Sequence, residues 1–294
     1  NFNRANDGGG VAAMNSDSTF SNCVFSDNYC YYKGAGLHTT QGTLQISNSL
    51  FDDNRATVGI IGTGAGGGVH AFETNTRIEG STFSNNEASY GGGIYFDEIS
   101  VTAIAFIDRC TFRLNTAWLL GAGFYASDSG SNYSYIADSL FADNDGPTLQ
   151  MSTGTTGSRV TNCTIVNNYN IGDKAALTGI ISLQNSIVWG NRGVYDRGYY
   201  NQVNGPITID TCLIENGTEW LPDGLTNQDP IFRSELGPDG IEHTGDENYR
   251  LLPSSIAIDF GDNWLFNYPS SEDLDGNPRF QDDPYTDDWD PLAT

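Results

Sequence analysis

Large apolar residues recur along this chain two positions after a small residue. Phe25, Phe51, Phe83, Phe112, Phe141, Ile165, Val188 and Ile214 follow Cys23, Ser49, Ser81, Cys110, Ser139, Cys163, Ser186 and Cys212. A spacing of two puts both columns on one face of an extended strand. Three residues after each large residue comes a ladder position: Asn28, Asn54, Asn86, Asn115, Asn144, Asn168 and Asn191, with Asn3 ahead of them and Gly217 in the ninth place. Most intervals fall in the twenties, the length at which single units bury their apolar face only by stacking on neighbours, as in a solenoid. Beyond the asparagine, a glycine-rich turn leads into a second strand whose first apolar residue is Val11, Leu37, Val69, Ile94, Phe124 or Leu149. No helical period competes, so the pattern predicts an all-β chain wound as a parallel β-helix of about nine coils.

Composition supports short strands and turns: of 294 residues, 35 are glycine and only 17% are charged. The net charge of −24 speaks against a nucleic-acid partner, which requires phosphates to be neutralised, and against an anionic membrane surface. No apolar run approaches the ~18 residues of a membrane span, so membrane insertion is not expected. Four of the five cysteines share one column and are separated by serine rungs, beyond the reach of a disulfide, so they read as buried free thiols. The chain begins in mid-coil, because Asn3 to Gly10 aligns with Asn86 to Gly93. The expectation is that upstream sequence has been removed or that another chain or domain covers this edge.

The repeat stops after Trp220. Residues 222–294 hold 17 Asp and Glu against 3 Arg, which gives −14 of the −24. The expected organisation is a β-helix over 1–221 and an acidic, mostly irregular extension over 222–294 that packs on the helix or caps it. Insertions around Val58 to Ala65, Glu98 to Thr102 and Val194 to Pro206 read as loops.

On motifs such as Phe83-Ser-Asn-Asn-Glu-Ala-Ser-Tyr-Gly-Gly-Gly-Ile-Tyr95, residues 1 to about 221 resemble the right-handed parallel β-helix repeats of bacterial cell-surface and secreted proteins. Asp229-Pro-Ile-Phe232, the run from Gly237 to Asn263, and Asp273-Leu-Asp-Gly-Asn-Pro-Arg279 resemble the C-terminal extension of planctomycete-type surface proteins. The resemblance implies an extracellular or cell-surface location. It also implies that the asparagines stack their amides at a turn.

Three outward columns carry candidate chemistry. His38, His70, Tyr95 and Tyr125, with Phe72 beside them, form a strip suited to sugar rings, or else packing that protects a sheet face. Glu73, Glu98 and Asp128, with Asp97 next to Glu98, place carboxylates on consecutive rungs. They are solvated, bridged by calcium, or paired at glycosidase spacing. In the extension, Asp239, Asp246, Asp273 and Asp275 are of calcium-ligand type or a hydrated acidic surface. The leading expectation is a non-catalytic extracellular structural or adhesive module of a bacterial surface protein that binds a polysaccharide or cell-surface glycan. The alternative is a polysaccharide-degrading lyase or glycoside hydrolase using Asp97, Glu98 and Glu73, with Ca2+ as the candidate cofactor.

Overall fold

The computed structural model describes residues 3–57, 63–98, 103–128, 133–151, 157–170, 175–179, 181–193, 202–205, 207–216, 225–258, 260–262 and 272–278, leaving out the side chains of Glu98, Asp128, Leu225 and Thr226. Among the described residues the fold is all-β, a parallel β-solenoid. Each full turn has four strand segments, where the sequence pattern resolves two. The first sheet runs Arg4–Asp7, Tyr29–Lys33, Arg55–Ala56, Glu87–Tyr90 and Thr116–Leu120. The second runs Val11–Met14, Leu37–Thr40, Val69–Phe72, Ile94–Glu98, Phe124–Asp128, Leu149–Met151, Leu177–Thr178 and Val203–Asn204. The third extends from Ser18–Ser21 to Ile207–Asp210, and the fourth from Val24–Ser26 to Leu225–Thr226.

The solenoid makes about seven turns, not nine, since eight ladder asparagines enclose seven intervals. Gly217 lies outside the described residues. At a rung spacing of about 4.8 Å the stack is about 34 Å long.

The columns read from the sequence form the core. Phe25, Phe51, Phe83, Phe112 and Phe141 stack on successive rungs with centroids 4.5 to 4.9 Å apart and planes within 7°. The ladder amides run buried beside them. Asn86 Nδ2 donates to Asn115 Oδ1 at 2.9 Å and to Phe51 O at 2.9 Å, and the pattern repeats from Asn54 to Asn168. The ladder ends in a residue the sequence pattern missed: Gln202 accepts from Asn191 Nδ2 at 2.7 Å and donates to Glu215 at 2.8 Å. In the small column, serine hydroxyls accept from the preceding rung, as where Cys110 N donates to Ser139 Oγ at 3.0 Å. All five cysteines are free thiols, with Cys23 only half-buried.

Within the C-terminal extension, Leu225–Thr226 continues the fourth sheet, and the antiparallel pair that follows packs on the outer face of that sheet. Phe232 and Tyr249, on the antiparallel pair Phe232–Ser234 and Asn248–Leu251, are buried against Ala142 and Val166. Arg113 reaches out from the solenoid to Asp143 at 3.0 Å and to Glu247 of the extension at 3.0 Å, and neither carboxylate side chain is exposed. Tyr249 OH donates to Asp143 at 2.6 Å, and Arg109 pairs with Glu272 at 2.7 Å.

Candidate functional site

The site follows from the turn between the first and second sheets. Gly34, Gly66, Gly91 and Gly121 carry φ of +63°, +67°, +62° and +70°. A Cβ at Gly91 would come within 2.6 Å of Tyr95 Cβ, so conformation and space both demand glycine here. The chain doubles sharply, and the last residues of the first-sheet strands come against the outward face of the second sheet. That preceding column reads Asp7, Lys33, Ala65, Tyr90 and Leu120, matched rung to rung. Lys33 Nζ lies 5.4 Å over the Phe72 ring and 3.9 Å from Asp97. The Tyr90 ring lies 6.2 Å from Tyr95 and 5.8 Å from Tyr125. The outward faces of the two sheets therefore meet in a concave corner, a groove whose two walls touch through these side chains.

At one end of the groove two imidazoles sit deep. His38 is 4% exposed and His70 not at all, although both point away from the apolar core. Their Nδ1 atoms are 2.9 Å apart. His70 Nε2 is sealed from solvent with no hydrogen-bond partner, and Asp97 Oδ2 stands 3.6 Å from it. Burial lowers the His70 pKa to about 4 and also lowers that of His38, where Asp7 opposes the shift and Lys33 adds to it. Burial works to raise the Asp97 carboxyl. Contacts from His70 and Ser127, with the charge of Lys33, outweigh it and hold Asp97 below its usual value. Ser127 Oγ donates to Asp97 Oδ1 at 2.7 Å and Tyr95 OH donates to Ser127 Oγ at 2.9 Å. Burial raises both Tyr95 and Tyr125, so each remains a phenol at neutral pH.

The structure thus brings His38, His70, Phe72, Tyr95, Asp97 and Tyr125 together, but not as a flat exposed strip. The two histidines are buried, and Tyr95 and Tyr125 stack face to face, 5.0 Å apart at 7°. Outward side chains one rung apart are at stacking distance, so the rings spend their faces on each other and offer the groove edges and hydroxyls. Sequence alone places Ser127 on the same outward face as Phe72 and Asp97 without a role, and it does not bring Lys33 or Tyr90 to the site. The column from Asp7 to Leu120 has no shared chemistry, and the glycine that follows each member is its only marker.

The carboxylate column is not uniform. Glu73 sits in a left-handed turn at φ +48°, like Gln41 before it at +56°, and accepts from Gln41 Nε2 at 3.2 Å. Glu98 and Asp128 pair in register on adjacent strands, but their side chains lie outside the described residues. Among the described residues no group of three or more His, Cys, Asp and Glu is placed to hold a metal ion. In the extension, Asp239 accepts from Ile241 N at 2.8 Å, Asp246 from Thr244 Oγ1 at 3.0 Å, and Asp273 from the amides of Asp275 and Asn277 at 2.9 and 2.8 Å. Asp275 pairs with Arg250. These carboxylates stabilise turns and one ion pair of the extension. Comparison with protein-family models, with curated proteins and with solved structures returns no match.

Proposed function

We propose that this chain is an extracellular structural or adhesive solenoid module of a bacterial surface protein, and that it binds a glycan in the groove between its first and second sheets. One observation carries the reading: the half-buried rings of Tyr95 and Tyr125 share a wall with the Asp97 carboxylate, and the Tyr90 ring and the Lys33 ammonium face them from the other sheet. Apolar edges beside a few converging donors and acceptors are what a sugar, with apolar faces and a rim of hydroxyls, requires of a site. The bacterial surface setting is supported by the repeat and extension motifs, and the net charge of −24 favours neutral over polyanionic glycans.

Calorimetric titration with soluble neutral and uronic polysaccharides tests the assignment. A neutral glycan is expected to bind, and Tyr125→Ala, which removes one ring of the stack without opening the core, is expected to weaken binding by about 0.5–1.5 kcal/mol. Unchanged affinity in Tyr125→Ala would place the ligand elsewhere.

A further inference from the structure

With their Nδ1 atoms 2.9 Å apart, one of His38 and His70 donates and the other accepts. Asp97 decides which. Were His70 the donor, its sealed Nε2 would be a bare lone pair 3.6 Å from a carboxylate oxygen, two acceptors facing each other away from water. With His38 as donor, His70 keeps its proton on Nε2, directed at Asp97. His38 is then left with an unprotonated Nε2. Both rings are neutral at pH 7, since burial disfavours either cation. The other charged groups acting on them are Asp7 and Lys33 from the first sheet, whose effects on His38 oppose each other.

We propose that the file Asp97, His70, His38 is a polarising relay that makes His38 Nε2 a general base, and that the groove hydrolyses an ester of a carbohydrate hydroxyl. The identity of the alcohol rests on the glycan reading above; the base does not. As the oxygen of a water molecule bonds to the acyl carbon, His38 Nε2 takes the water proton and the carbonyl π pair moves to its oxygen. His38 keeps its Nδ1 proton, donated to His70 Nδ1, while His70 directs its Nε2 proton at Asp97, so the carboxylate steadies the His38 imidazolium through the intervening ring. When the bond to the sugar oxygen breaks, His38 Nε2 returns its proton to the departing alkoxide. One water is consumed and one acid and one alcohol are released. Lys33, on the facing wall, pairs with Asp97 at 3.9 Å and reaches the oxyanion only by loosening that pair. A glycosidic bond would instead ask for two flanking carboxyl groups, whereas neutral imidazoles backed by a carboxylate carry the protons of acyl transfer. His38 is the catalytic residue, and His70 and Asp97 position it.

Two measurements test the relay. Nitrogen-15 NMR of the wild-type imidazoles at pH 7 is expected to find His38 protonated on Nδ1 and bare on Nε2, with His70 protonated on Nε2. The opposite tautomers overturn the proposal whatever the substrate. Acetate release is then followed from acetylated xylan and from p-nitrophenyl acetate. His38→Gln is expected to lose on the order of 100-fold in rate. Asp97→Asn, checked for native fold by circular dichroism, is expected to lower kcat more than KM and to move the pH at which activity rises. Turnover of p-nitrophenyl acetate without turnover of the polysaccharide would support the base and overturn the carbohydrate assignment. Glycan binding with no hydrolysis of either ester, or His38→Gln at the wild-type rate, would overturn the relay itself.

Discussion

The ladder asparagines are tied to the fold by both ends of one small side chain. Asn86 Oδ1 accepts from the backbone N of Asn54 at 3.1 Å and from Asn54 Nδ2 at 2.9 Å, while its own Nδ2 serves Phe51 O and Asn115 Oδ1. No part of Asn86 reaches solvent. Asn86→Ala would leave a buried amide N–H, a buried carbonyl and a neighbouring carboxamide short of partners, at about 1–3 kcal/mol for each unsatisfied group. The expected loss is on the order of 3–6 kcal/mol. Asn3 makes one such bond, to Asn28 Oδ1 at 3.0 Å, from an exposed position, so Asn3→Ala is expected to cost about 1 kcal/mol or less. Urea titration of the two variants tests this, and equal midpoint shifts would show that burial of the ladder amides is not what makes them costly to lose.

At the scale of elements, the extension is latched to the fourth sheet through Asp143, and the latch has a working pH range. Burial works to raise the Asp143 carboxyl, but His243, Tyr249 and Arg113 outweigh it, so its folded pKa lies below the ordinary 3.8. Its contribution is present above 3.8 and is lost as pH falls through the lowered folded value. His243 Nδ1 lies 3.4 Å from Asp143, and that contact raises its pKa above the ordinary 6.5. Its contribution is complete below 6.5 and is lost as pH rises through the folded value. Docking is therefore expected to be firmest between these limits, read as the rate of proteolytic cleavage within residues 225–258 across pH. Arg113→Ala removes the common partner of two unexposed carboxylates, and breaking such a buried pair costs about 3–5 kcal/mol. Cleavage of the extension at a wild-type rate in that variant would move the latch to the apolar contacts of Phe232 and Tyr249.

Much of the element order was legible in the sequence, and the reason is local. Phe83, two residues after Ser81 and three before Asn86, sits on a strand whose alternation fixes which side chains point inward, and the same offsets recur on each rung. The groove was legible only in part. His70, Tyr95 and Asp97 could be placed on one outward face, but whether that face is open depends on the angle at Gly66 and Gly91. A residue count does not encode that angle. Burial of His38 and His70 and the approach of Lys33 follow from it. So does the mutual stacking of Tyr95 and Tyr125, which turned an expected platform into a row of ring edges.

At the scale of the whole molecule, each rung touches only its neighbours, so stability is close to a sum of rung and interface contributions and opening starts where a rung has one neighbour. The two ends of the described solenoid differ. At the C-terminal end Gln202 and Glu215 close the amide ladder, Leu225–Thr226 adds a strand to the fourth sheet, and the extension packs alongside near Val166. The first rung has no such closure among the described residues: its inward Val11 is only partly buried, against complete burial of Leu37 and Val69 in the same column on the next two rungs of the second sheet. Fraying is therefore expected to begin at Arg4–Asp7, Val11–Met14 and Val24–Ser26 and to advance one rung at a time. Hydrogen exchange followed by mass spectrometry tests this directly, because the four strands of a rung should exchange as a set. Protection should rise from Val11–Met14 through Leu37–Thr40 to Val69–Phe72, and Val24–Ser26 should exchange before Thr164–Val166 although both belong to the fourth sheet. Uniform protection along the second sheet would mean that the solenoid opens as one cooperative unit. The groove, built on the second to fifth rungs, would then share the stability of the whole stack instead of lying one rung from its weakest end.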